Sequence, residues 1–142
     1  MALAIFNLAY VALAYPAGAL SDRMSPRTLL MGGIAVLIAG NVVLAETNNF
    51  AGLVVGTALW GAHMALTQGI FSRMIADSAP EKLRATSFGA FYFVTGLGAL
   101  LASLGAGWLW DREGASATFL TSAGIAAVAL AMLSLLPEER RT

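Results

Sequence analysis

The chain has 142 residues, 58% of them hydrophobic and 11% charged, with a mean hydropathy of +0.77, a balance that belongs in lipid rather than in a water-soluble domain. Eight Lys plus Arg set against eight Asp plus Glu leave no basic field for nucleic acid or another polyanion. The absence of cysteine excludes disulfides, thiolate metal sites and a cysteine nucleophile.

A helix needs roughly 20 predominantly apolar residues to cross a hydrocarbon core about 30 Å thick. Charged or turn-rich breaks cut this chain into five stretches of that length, so the expected fold is an all-α membrane protein with spans at residues 2–20, 28–45, 50–72, 86–110 and 117–136. Strands of a membrane barrel would be about half as long and would alternate in polarity, which these do not. The first span has no basic residue ahead of it and outlasts a signal-peptide core, so it reads as a retained helix.

The breaks hold nearly all the charge, and alternate breaks lie on one side. Arg23, Arg27, Arg73, Lys82, Arg84, Arg140 and Arg141 fall on one side and Arg112 alone on the other. Such a bias marks the first, third and fifth breaks as cytoplasmic, with the C-terminus inside and the N-terminus of these residues outside. An uncharged start placed outside without a helix to lead it is awkward, which points to at least one preceding span.

The end of the first span, Ala17-Gly18-Ala19-Leu20-Ser21-Asp22-Arg23, matches the end of the fourth, Ala106-Gly107-Trp108-Leu109-Trp110-Asp111-Arg112, at five of seven positions. The two copies face opposite sides of the membrane, as an inverted repeat of three helices requires, and such repeats are common in secondary transporters. Chance similarity between helix ends rich in Ala, Gly and Leu is the alternative. If the repeat holds, the third to fifth spans form a full triplet, the first two complete a preceding one, and one leading helix is absent.

These residues resemble a known family. The run from Gly18 to Leu30 is similar to the cytoplasmic loop signature of the major facilitator superfamily, G-x-L-[AS]-D-[RK]-x-G-[RK]-[RK]-x-x-L. Gly18, Leu20, Asp22, Arg23 and Arg27 match, whereas Ser25 stands where the family has Gly and Pro26 where it has a base. The stretch from Arg73 to Gly89 also resembles a loop of bacterial members. The resemblance implies the C-terminal portion of such a transporter, approximately helices eight to twelve, in a bacterial inner (plasma) membrane. It further implies transport of a small solute by alternating access, with Gly18, Leu20, Asp22, Arg23, Arg27, Arg73, Asp77 and Arg84 in loops that govern closure to the cytoplasm. The partners so implied are the solute, a coupling proton or ion, the bilayer and the missing N-terminal helices.

Asp22 follows a helix end on the side where the fourth span begins near Thr86 and Ser87. A carboxylate near unsatisfied helix N–H groups is stabilised by about 0.3–2 kcal/mol, so Asp22 is a candidate latch with Arg23, Arg27, Arg73 and Arg84 as countercharges. The plainer alternative is a pair of residues marking the headgroup boundary.

His63, the only histidine, lies near the middle of the third span and shares a helical face with Trp60 and Thr67, flanked by Thr57 and Gln68. An ionisable group at bilayer depth is a functional candidate by default, and the resemblance implies that a triplet's leading helix lines the solute cavity. The alternative is a neutral His bonded to a neighbouring helix. Proton coupling through His63 is permitted by its titration range and required by nothing here. Asn7 and Tyr10 on the first span and Tyr92 and Thr95 on the fourth are weaker cavity candidates, favoured instead as interhelical glue. Asn41 reads as a packing or interfacial residue, Gly98, Ala102 and Ala106 as a close helix contact, and Trp108 and Trp110 as an interfacial belt.

No acid lies at mid-membrane, no His cluster suits a metal, and the Gly-rich fourth span lacks the P-loop Lys. No cofactor and no enzymatic chemistry are expected. The reading from sequence is therefore a solute transporter, with a non-transporting structural or regulatory membrane module as the alternative.

Overall fold

A computed structural model of the chain describes residues 1–136, so Arg140 and Arg141 of the charge count lie outside the described residues. Its elements are α1 (Ala2–Ser21), α2 (Pro26–Glu46), α3 (Phe50–Ser78), a 3-10 turn (Glu81–Leu83) and α4 (Arg84–Leu135). All regular structure among the described residues is helical, as required where no water is present to satisfy backbone N–H and C=O groups. Each of the four long helices is long and apolar enough to cross a membrane.

Local chemistry sets the boundaries. Ser25 is the N-cap of α2, its Oγ accepting a bond from the Thr28 amide at 3.2 Å, and Pro26 occupies the first helical turn, where its missing N–H costs nothing. The two departures from the loop signature thus form a helix start, and α2 opens before the expected residue 28. Asn49 caps α3 through Oδ1, which accepts from the Gly52 amide at 2.8 Å. Pro80 ends that helix, forcing Ala79 into an extended conformation (ψ 131°) because its ring clashes with a helical predecessor. α3 outlasts the expected third span by six residues, to Ser78. Charge at Arg73 limits how deep a residue sits in lipid but does not stop a helix.

The larger difference is α4. The expected break at residues 111–116 contracts to one residue, Gly114, whose φ of 83° and ψ of −177° are the only non-helical angles inside the element. An unbroken helix of its 52 residues would run roughly 78 Å. Instead Phe91 meets Phe71 with ring centroids 5.9 Å apart, while Leu133 and Ser134 accept bonds from Arg27. Phe71 and Arg27 lie at the same end of the bundle, because α2 and α3 form an antiparallel hairpin closed by residues 47–49. α4 therefore travels out and back, and the reversal brings Trp110 and Phe119 edge to face at 5.8 Å. Residues 84–113 are called its first arm and 115–135 its second arm. With the reversal counted, the chain makes five passes.

α3 lies between α1 and α2 and packs along both, and the second arm packs along α2. The first arm stands largely exposed, with Phe93, Leu97 and Leu104 all open.

Only glycine adopts the Gly114 conformation without strain. Gly114→Ala is expected to lower stability by about 1–3 kcal/mol, although no atom lies within 4 Å of the added methyl. Gly107→Ala, at an equally open but helical site, should be neutral or stabilising by about 0.5–1 kcal/mol. Equal unfolding midpoints for the two variants in a detergent titration would refute the assignment.

Candidate functional site

Two groups of polar side chains stand out, one along the seam between α2 and α3 and one at the bundle end that carries the arginines.

The seam exists because three glycines let the two backbones approach. A Cβ on Gly33 would sit 2.5 Å from Thr67 Cγ2, and one on Gly40 only 3.1 Å from Trp60 Cδ1 and 3.3 Å from the Gly56 carbonyl. A Cβ on Gly56 would meet Leu44 at 2.5 Å, and Gly61 backs onto α1 with its virtual Cβ 2.5 Å from the Phe6 carbonyl. At this separation short polar links form. Trp60 Nε1 donates to Asn41 Oδ1 at 3.2 Å, and Asn41 is 2% exposed. His63 Nδ1 lies 2.9 Å from the Gly33 carbonyl. A carbonyl only accepts, so Nδ1 carries a proton in this contact. Thr67 is buried and returns its hydroxyl to the His63 carbonyl at 2.9 Å. The face shared by Trp60, His63 and Thr67 is thus turned toward α2.

Its edge still borders open space. A cavity of about 510 Å³ is lined by Phe6 of α1, Leu37 of α2, Thr57, Trp60 and His63 of α3, and Phe119 of the second arm. Its walls are apolar. The Thr57 hydroxyl is spent on the Leu53 carbonyl at 2.6 Å, and Trp60 and Phe119 form an edge-to-face wall with centroids 6.0 Å apart. Gln68 and Tyr10 fall elsewhere, bordering a smaller cleft between α1 and α3. Asn7 bonds the Leu3 carbonyl of its own helix at 2.7 Å. Thr95 bonds Phe91 likewise at 2.8 Å, and Tyr92 is exposed beside Phe88 and Phe91. These last three make no interhelical bond among the described residues.

At the arginine end, side chains satisfy helix C-termini. Arg73 Nη1 donates to the Ser21 carbonyl at 3.0 Å and lies 3.4 Å from Ser21 Oγ, closing the end of α1 against α3. Its Nε stands 3.8 Å from Asp77 Oδ2, the one ion pair among the described residues, exposed enough to contribute little. Arg27 Nη2 donates to the Leu133 and Ser134 carbonyls at 2.8 and 3.0 Å. These belong to the last turn of α4, where carbonyls lack helical partners and a cation is favoured. Asp22 caps α1 through its backbone, bonding the Gly18 carbonyl. Its carboxylate enters no hydrogen bond or ion pair among the described residues, and neither do the side chains of Arg23 and Arg84. The contacts that tie the helix ends together are those of Arg27 and Arg73 to backbone.

The whole chain, residues 1–142, matches the family model of the Major Facilitator Superfamily. The chain belongs to that superfamily. It is 35% identical over 106 residues, 75% of its length, to an uncharacterized MFS-type transporter of Methanocaldococcus jannaschii, of which it covers 27%. It is 28% identical over 138 residues to the MFS-type transporter ppzB of Metarhizium rileyi, covering 97% of this chain and 29% of that protein. Citrate exporter 1 of Aspergillus niger is 32% identical over 126 residues, 87% of this chain and 24% of the exporter. The chain thus spans less than a third of the length of each of these relatives. As a superfamily member with long apolar helices it is an integral membrane protein of a transporter family.

Asn41, expected as a packing or interfacial residue, bonds Trp60 inside the seam, whereas Phe119 and the carbonyl acceptors of Gly33, Leu133 and Ser134 carry roles that residue type did not announce. The one available signal was the glycine pattern, with Gly33 and Gly40 seven apart on α2 and Gly56 and Gly61 on α3. Arg27→Ala is expected to cost about 1–3 kcal/mol, the worth of hydrogen bonds from a charged donor, and Arg27→Lys to keep part of it. Thermal unfolding in detergent, with Arg23→Ala as the unbonded control, checks this. An equal loss for Arg23→Ala and Arg27→Ala would contradict the capping role.

Proposed function

We propose that this chain supplies helices eight to twelve of a secondary transporter that moves a small solute by alternating access, coupled to a proton or ion. The carrying observation is the superfamily match over residues 1–142, which includes the loop signature from Gly18 to Leu30. In this reading the arginine end is cytoplasmic, in keeping with the positive-inside bias, in a bacterial inner membrane. The remaining helices of the transporter belong to the N-terminal side.

The loop residues Gly18, Leu20, Asp22, Arg23, Arg27, Arg73, Asp77 and Arg84 form the gating group. Arg27 and Arg73 bind helix C-terminal carbonyls, which makes the cytoplasmic ends move as clamped pairs. Asp22 and Arg23, free of partners among the described residues, are the members available to engage helices beyond these. Thr57, Trp60 and His63 line the solute cavity, with Thr67 and Asn41 holding them in place, and Gln68, Asn7, Tyr10, Tyr92 and Thr95 are peripheral. The protein acts as a carrier and not as an enzyme.

Uptake and efflux of a solute panel, measured in vesicles holding the protein that carries these residues, test the reading. Asp22→Asn should lower transport and change the labelling of cytoplasmic loop positions, and His63→Ala should lower transport by at least about tenfold, the equivalent of 1.4 kcal/mol. Unchanged transport and labelling in Asp22→Asn would sink the gating role, and transport of no solute in either direction would sink the carrier itself.

A further inference from the structure

Thr57, Trp60 and His63 border the cavity of about 510 Å³, yet the donors they bring are turned away from it. The Thr57 hydroxyl donates to the Leu53 carbonyl at 2.6 Å, the Trp60 indole to Asn41 at 3.2 Å and the His63 Nδ1–H to the Gly33 carbonyl at 2.9 Å. Nε2 of His63 is then the one nitrogen or oxygen of the lining side chains without a hydrogen-bond partner among the described residues. No Asp, Glu, Lys or Arg lines the space.

The lining also fixes the depth of the cavity. Phe6 stands near the start of α1, Leu44 near the end of α2 and Phe119 just past the reversal at Gly114, so the cavity occupies the half of the bundle opposite the arginine end and reaches inward as far as His63. An ionised group held there without a countercharge is expensive, and the walls offer none. Rings are better served. Phe119 packs edge to face with Trp60 at 6.0 Å and with Trp110 at 5.8 Å, an arrangement that a further aromatic ring can extend, and the volume falls in the range of sites for drug-sized ligands.

We propose that this cavity binds uncharged, lipophilic aromatic molecules with at most one hydrogen-bonding group, which His63 meets, and that the transported solute is of this class. The solute class rests on the reading of the cavity as the site of transport, whereas the binding of such molecules follows from the walls themselves.

Tritiated N-phenylnaphthylamine, which is uncharged, and tritiated anilinonaphthalene sulfonate, the same rings bearing an anionic group, are each titrated onto the full-length protein that carries these residues, held in lipid nanodiscs. Saturable binding is expected, at least about tenfold tighter for the uncharged probe. Leu37→Trp, which fills the space from α2, should weaken it at least about tenfold. Phe119→Leu, a milder change that removes one ring, should weaken it about threefold, and Leu97→Trp on the exposed first arm should leave it unchanged. Solute transport is then measured in vesicles with the uncharged probe as competitor. Equal or tighter binding of the sulfonate, no saturable binding of either probe, or binding unchanged in both Leu37→Trp and Phe119→Leu would overturn the assignment. Transport of a charged or polyhydroxylated solute that the uncharged probe leaves unaffected would also overturn it, while the carrier itself stands. Saturable binding of the uncharged probe with no solute transported in either direction would instead sink the carrier and uphold the binding site.

Discussion

The close approach of α2 and α3 governs the rest of the bundle. Gly33, Gly40 and Gly56 remove the side chains that would hold the two backbones apart, and in lipid, where tails are as apolar as the helices, this packing is what drives association. Once the backbones are near, side chains of ordinary length can bridge them. Trp60 reaches Asn41 and His63 reaches the Gly33 carbonyl because of the glycine at the crossing, and a larger residue at position 33 would displace Thr67 and His63 together. The polar links do not create the seam. They fix its register, since an indole N–H or imidazole N–H without a partner at that depth is costly.

The same demand for satisfied polar groups explains the arginine end. A helix leaves its last carbonyls without intrahelical partners, and an exposed arginine stem can lie along an apolar surface while its guanidinium serves them. Arg73 does this for α1 and Arg27 for the second arm of α4. The cations that topology reads as a statistical excess on one side are thus, in two cases, structural caps joining helices far apart in sequence. Within the matched loop signature, Arg27 bonds the end of the second arm of α4, and Asp22 and Arg23 stay unengaged among the described residues.

The cavity beside His63 follows from how the helices are joined. α1 and α2 flank α3, and the reversal at Gly114 returns Phe119 toward Trp60, so the walls come from four elements and are nearly all apolar. Hydroxyl, indole and imidazole donors around it are directed into the protein.

Composition and charge by themselves determined that the chain is a set of apolar helices in a membrane, since hydrophobic length and the siting of charges are local quantities. The loop motif carried the family for the same reason. Capping by Ser25 with Pro26, by Asn49 and by Pro80 also acts on immediate neighbours, although in the sequence Ser25 and Pro26 read only as departures from the loop signature, with the helix expected from residue 28. The partners of each polar residue were not legible. His63, Trp60 and Thr67 share a face in any helix, but whether that face meets α2 or open space depends on which glycines align across the seam. Gly114 was visible as a small residue in a charged break, yet only the tertiary structure reduced the break to that single residue and turned α4 back on itself. Residue type and spacing describe one helix at a time, whereas contacts such as Arg27 with Leu133, 106 positions apart, arise from packing between helices, and that packing was decided by the tertiary structure alone.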